Sequence, residues 1–116
     1  MSDQAAASLL ALDIHRADNV AVVRCHGKLV AGVSDVLYAQ VSQLIPGANR
    51  IVLDLTGVTH MDSMGLGTLV RLYVSAKSAG CALELKNVGK PIRHLLGVTH
   101  LLSVLEIIGE NNIRLG

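Results

Sequence analysis

The chain has 116 residues, ten basic against nine acidic, with 51% hydrophobic and 16% charged residues. That length and apolar content describe one folded domain able to bury its core without metals or disulfide staples, and they exclude a disordered chain. A formal charge of +1 without a basic run, no Phe or Trp and only two Tyr argue against nucleic acid, which needs a cationic stripe or stacking platforms.

Residues 1–8 read as a loose tail, and Met1-Ser2-Asp3-Gln4 is acidic, unlike the start of a secretory leader. No stretch approaches the roughly 18 apolar residues of a membrane span, so a cytoplasmic protein without direct membrane insertion is expected. Leu10, Leu12 and Ile14 alternate with Ala11, Asp13 and His15, which predicts a half-buried strand. Ala17-Asp18-Asn19 supplies turn chemistry, Val20–His26 resumes as a second strand, and Gly27 ends the hairpin. Ser34 and Asp35 are placed to cap a helix with Leu37, Val41, Leu44 and Ile45 on its apolar face, stopped by Pro46-Gly47.

Arg50–Leu55 is the third strand, and its near-continuous apolar run predicts burial on both faces in the middle of a sheet with helical cover. A turn follows, and then a helix whose predicted buried face is Leu66, Leu69, Val70, Tyr73 and Val74, terminated by Gly80. Ala82–Lys86 alternates as a fourth strand. Pro91 suits the start of a short helix with Ile92, Leu95 and Leu96 inward, ended by Gly97. Leu101–Val104 reads as a further helical turn before a last strand near Leu105–Ile108. Cys25 and Cys81 lie isolated in strand-like apolar surroundings, as free, inert, buried thiols do. The order β-β-α-β-α-β-α-(α)-β, with three to four helices, predicts a single α/β domain over residues 9–110 with tails at 1–8 and 111–116. Its sheet is mixed, because the opening hairpin is antiparallel and the helical crossovers are parallel.

The stretch Thr56–Leu72, T-G-V-T-H-M-D-S-M-G-L-G-T-L-V-R-L, organises the rest. Asp62 and Ser63 are residue types that satisfy orphan N–H groups at a helix start, and taken alone Ser63 reads as no more than an N-cap. Gly65 and Gly67 follow where helix propensity alone prefers alanine, and are read as permitting close backbone approach. They form neither a dinucleotide fingerprint nor a Walker loop. His60, Asp62 and Ser63 are too close in sequence for a catalytic triad, and no G-x-S-x-G elbow is present, so the chain is read as a non-enzyme. His15, His26, His60, His94 and His100 lack metal-ligand spacing, and no cofactor is expected.

I-V-L-D-L followed by V-T-H-M-D-S-M-G-L-G and an amphipathic helix closely resembles the signature of STAS domains, in particular the stand-alone bacterial anti-sigma factor antagonists. The resemblance covers nearly the whole chain, down to L-L-G-V-T at Leu95–Thr99. It implies a protein that binds an anti-sigma factor/serine kinase and so frees the sigma factor. It also implies phosphorylation of the serine after the motif aspartate, here Ser63 after Asp62, and reversal by a phosphoserine phosphatase. The implied partner surface comprises Lys28, Ser34, His60, Asp62, Ser63, Met64, Gly65 and Gly67. The chain departs from the family at Met64, where serine or threonine is common, and at Gly27-Lys28-Leu29-Val30, where G-E-L-D or similar is frequent and both acids are missing. A second expectation from the same resemblance is a scaffold without a switch, such as a subunit of a lipid-transport ATPase complex.

Overall fold

The chain opens on a hairpin in which β1 (Leu10–Ala17) and β2 (Val20–Leu29) pair antiparallel, with Ala17 opposite Val20. Asp18 makes the reversal at φ 56°, a left-handed conformation that aspartate tolerates better than most residues. The computed structural model describes residues 9–89 and 92–94, and the backbone of residues 106–108. Three further strands, β3 (Arg50–Met61), β4 (Ala82–Lys86) and β5 (Glu106–Ile108), extend the sheet in sequential order, each parallel to its predecessor. The predicted mixed sheet is therefore present.

Helix α1 (Ser34–Ser42) and a 3-10 turn at Ile45–Gly47 join β2 to β3, and helix α2 (Ser63–Ser78) joins β3 to β4. Right-handed crossovers that step in one direction keep both helices on the same sheet face. The burial pattern agrees: Ala21, Val23 and Cys25 of β2, Ile51, Leu53 and Leu55 of β3, and Leu83 and Leu85 of β4 join Leu37, Val41, Leu66, Leu69, Leu72 and Ala76 in one core. Each fully buried leucine here contributes about 2 kcal/mol of transfer free energy. The opposite face carries Arg24 beside Asp54 and Arg50 beside Glu84. Ile51, Val52 and Leu53 are all buried, as the third strand's apolar run predicts.

Several boundaries differ from expectation. Gly27 does not end β2; it sits inside the strand at φ 115°, and a Cβ there would lie 2.1 Å from the Leu9 carbonyl oxygen. Ser34 and Asp35 do not cap α1. Val33 holds the N-cap position without a side-chain bond, Ser34 is the first helical residue, and the Val30 carbonyl accepts the N–H groups of Val33 and Ser34 at 3.0 Å each.

On α2 the buried face is Gly65, Leu66, Thr68, Leu69, Leu72 and Ala76, whereas Val74 is 56% exposed. Small residues at positions 65, 68 and 76 let the helix lie close to the sheet, which turns the apolar stripe away from Val74. Gly80 ends α2 as predicted, at φ 74°. Its N–H donates to Lys77 O and that of Cys81 to Ala76 O, the paired bonds of a Schellman cap. Ile92 is buried within a helical segment at residues 92–94, and residues 106–108 form the last strand. The expectations for residues 1–8, Pro91, Leu95, Leu96, Gly97, Leu101–Val104, Leu105 and 109–116 lie outside the described residues.

Candidate partner-binding site

The largest departure from the sequence reading creates the site. T-G-V-T-H reads as a turn, yet β3 continues through it to Met61. Beside β4 the pairing ends at Asp54, whose Oδ1 accepts the Thr56 hydroxyl (2.6 Å), the Thr56 N–H (3.0 Å) and the Asn87 amide (3.4 Å). Partial burial pushes the Asp54 carboxyl up, but the Thr56 and Asn87 hydrogen bonds and the Lys86 charge outweigh it and hold the group below its ordinary value. Beyond Asp54, β3 pairs among the described residues with β2 alone, through His26 with Gly57, Gly27 with Val58, Lys28 with His60 and Leu29 with Met61. Gly57 is required here, because a Cβ would lie 2.3 Å from His26 Nδ1 and 2.8 Å from Cys25 O. The Thr59 hydroxyl donates to Gly27 O at 3.2 Å and lies 2.9 Å from His60 Nδ1.

At the end of this ribbon Asp62 caps α2. Its Oδ1 accepts the N–H groups of Met64 and Gly65, both at 3.0 Å, and its Oδ2 accepts the N–H of Ala31 at 2.9 Å. Hydrogen bonds from the Ala31 and Gly65 amides, with a smaller one from Met64, hold the carboxyl below its ordinary value. Ser63 is then the first helical residue, not the cap. It is exposed, and its hydroxyl makes no hydrogen bond to the described residues. Gly65 is buried against the end of β2, where an added Cβ would lie 2.0 Å from Leu29 O. Gly67 has nothing within 4 Å of its Cβ position, so close approach within the chain explains Gly65 and not Gly67.

The structure brings most of the implied surface residues to one end of the sheet. Lys28 and His60 are cross-strand neighbours and exposed, Asp62 is half-buried, and Ser63, Met64 (58% exposed) and Gly67 are open. Ser34 and Gly65 are buried packing residues, and their side-chain positions face inward. Sequence reasoning placed the Lys28–Ser34 loop beside this surface but missed its bond to the helix start, because nothing in the residue types marks the Ala31 N–H as a donor to Asp62. It also missed Arg71, whose guanidinium lies 4.4 Å over the Tyr38 ring and 3.6 Å from Asp35. With Met64, Gly67 and Val74, Arg71 lines the exposed stripe of α2.

Among the described residues no group of three His, Cys, Asp or Glu could hold a metal ion, and no helix is long and apolar enough to cross a membrane. Cys25 and Cys81 are free and buried; burial, with Asp54 nearby, pushes the Cys25 thiol up to about 12.

Comparison with known proteins points the same way. The anti-sigma F factor antagonist of Paenibacillus polymyxa is 28% identical over 100 residues, 84% of this chain and 86% of that protein. The anti-sigma-B factor antagonist of Bacillus subtilis (strain 168) is 32% identical over 87 residues, 71% of this chain and 80% of that protein. The fold matches the Bacillus cell fate determinant SpoIIAA in its phosphorylated form, with a TM-score of 0.69 at 18% identity, covering 87% of this chain and 94% of that one. The STAS domain family model matches residues 11–113, and by that match, over the sheet and helices described above, the chain belongs to the STAS domain family.

Proposed function

We propose that this protein is an anti-sigma factor antagonist, a non-enzymatic binder of an anti-sigma factor/serine kinase, switched off by phosphorylation of Ser63 and restored by a phosphoserine phosphatase. One observation carries the reading. Asp62 occupies the cap, so Ser63 has no structural duty there and presents an exposed hydroxyl at the helix start. The names of the relatives support the antagonist role, and the phosphorylated form of SpoIIAA shares the fold.

The physics of the switch follows from position. A phosphoserine carries about −1.5 to −2 charge and three strong acceptor oxygens. At the first residue of α2 those oxygens meet the positive end of the helix, so the modified domain stays folded. The same charge, beside the Asp62 carboxylate and pressed against a partner, opposes a fitted interface through repulsion and desolvation. The partner surface combines Lys28, His60, Ser63, Met64 and Gly67. Lys28 puts a cation where many family members carry an acid, so the partner face opposite it is expected to be acidic or neutral.

The test is titration calorimetry with the anti-sigma factor kinase of the same genome. Ser63→Asp is expected to abolish binding while its far-UV circular dichroism stays that of the wild type. Ser63→Ala is expected to bind and to take up no phosphate. Undiminished affinity of Ser63→Asp, or phosphate incorporated into Ser63→Ala, would remove Ser63 as the switch.

A further inference from the structure

We propose that Asp62 is the positioning residue of this surface, a clamp that holds the Val30–Val33 loop and the start of α2 as one rigid unit. The inference rests on the reading of this end of the sheet as a partner surface, and it concerns how that surface keeps its shape. Asp62 spends its two oxygens differently. Oδ1 receives Met64 and Gly65 from its own helix, as any cap does, while Oδ2 receives Ala31, 31 residues earlier in the chain. A serine or threonine cap offers one oxygen and could not do both.

Two other contacts converge on the same seam. The Asp62 N–H donates to Leu29 O at 3.4 Å, and Gly65 lies so close to Leu29 O that no side chain fits between them. Leu29–Ala31 and Asp62–Gly65 are thus joined across the seam by main chain and by one carboxylate. The carboxylate contributes the bond with a formal charge, the stronger kind. The Val30 carbonyl is engaged by Val33 and Ser34, so fixing Ala31 also fixes the start of α1.

The clamp leaves Asp62 little freedom to contact a partner. All three hydrogen bonds of its carboxylate go to backbone within the domain, and its effect on recognition is exerted through the placement of Ala31 and Ser63. A partner that touches both Lys28 and Ser63 therefore meets a surface whose two halves do not have to be ordered on binding. The depressed Asp62 carboxyl keeps the clamp charged at neutral pH.

Asp62→Asn separates clamp from cap. Asparagine caps a helix as well as aspartate does, but its amide group would turn a donor toward the Ala31 N–H, which is also a donor. Asp62→Ser serves as a second variant that keeps a capping oxygen and lacks the reach to Ala31. Amide hydrogen exchange is followed by NMR at Ala31 and Gly65 in the wild type and both variants of the full chain. The expected result is that Ala31 exchange accelerates about tenfold or more while Gly65 changes by less than about threefold, and affinity for the anti-sigma factor kinase falls about tenfold.

Unchanged exchange at Ala31, or acceleration of Ala31 and Gly65 in parallel, would overturn the clamp, because a merely structural weakening moves both. Selective acceleration with unaltered affinity would overturn the positioning role. Failure of the wild type to bind any anti-sigma factor would instead count against the proposed function, and exchange in the protein alone would still decide the clamp.

Discussion

Alanine at positions 65 and 67 makes a matched pair on one helix, with effects expected to differ in sign. Both glycines are helical, and in an exposed helix interior alanine is favoured over glycine by about 1 kcal/mol. At Gly67 nothing lies within 4 Å of the new methyl, so Gly67→Ala is expected to gain close to that full amount. At Gly65 the methyl would sit 2.0 Å from Leu29 O, 2.9 Å from Leu29 C and 3.0 Å from Leu29 Cγ. The obstructing atoms are mainly backbone in the buried end of β2, so the helix start has to retreat by about 1 Å to restore ordinary contact. Overpacking of that kind costs about 1–3 kcal/mol, and the retreat also strains the Ala31–Asp62 bond, worth about 1.5 kcal/mol or more. Net of the propensity gain, Gly65→Ala should lose about 2 kcal/mol. Urea unfolding followed by far-UV circular dichroism, suited to a chain without Trp, reads both changes. If Gly65→Ala is neutral or stabilising, the close approach of α2 to β2 is not what fixes that glycine, and the reasoning fails.

Acid should weaken the domain through its two depressed carboxyls. Asp54 and Asp62 have folded-state values below their unfolded ones, so their stabilisation is complete above roughly pH 4 and disappears as pH falls through the folded values. Asp62→Asn should therefore flatten the decline of the urea midpoint below about pH 4, and an unaltered decline would contradict the linkage. Burial raises both thiols, so a disulfide-exchange reagent at about pH 8 is expected to modify neither Cys25 nor Cys81 in the folded chain and both in urea. Rapid modification of native Cys25 would show that its strand opens readily. A double-mutant cycle on Tyr38 and Arg71 should return a coupling of about 0.5–1 kcal/mol, the range of an exposed cation–π pair, and zero coupling would make the 4.4 Å stacking incidental.

The strands and the helix start at Asp62-Ser63 were legible because they rest on strong local signals. Leu10, Leu12 and Ile14 alternate, I-V-L-D-L is a continuous apolar run, and Asp before a periodic segment announces a cap. The length of β3 was not legible. Gly57 and the threonines around it carry turn chemistry, and what makes them strand is the parallel partner β2, with His26 and Cys25 O filling the space a side chain would need. The rotation of α2 was hidden for a related reason. Tyr73 packs against the core as its spacing suggests, but Val74, which looks like core by hydropathy, is exposed; Gly65, Thr68 and Ala76 are small enough to bring the helix down on the sheet, and hydropathy does not encode closeness. Residue type names Asp62 and Ser63 equally as caps; the folded chain distributes the roles, giving the N–H groups to Asp62 and leaving Ser63 outside.

The pairing of β3 has a consequence for how this domain can vary. Its first five residues are flanked by β2 and β4, whereas among the described residues Gly57–Met61 pairs with β2 alone, a two-stranded arm whose inward residues Leu29, Val58 and Met61 still pack on the core. Global stability resides in the body, where the aliphatic core lies between the sheet and both helices. The arm and the start of α2 carry Lys28, His60, Ser63 and Met64, none of which is buried in that core. Substitutions at these four exposed positions can therefore exchange one partner for another with little effect on the melting of the whole. Changes along β4 can tune melting and leave recognition untouched. A lineage could diversify its signalling partners on such a scaffold one surface residue at a time, without first acquiring stability to spare.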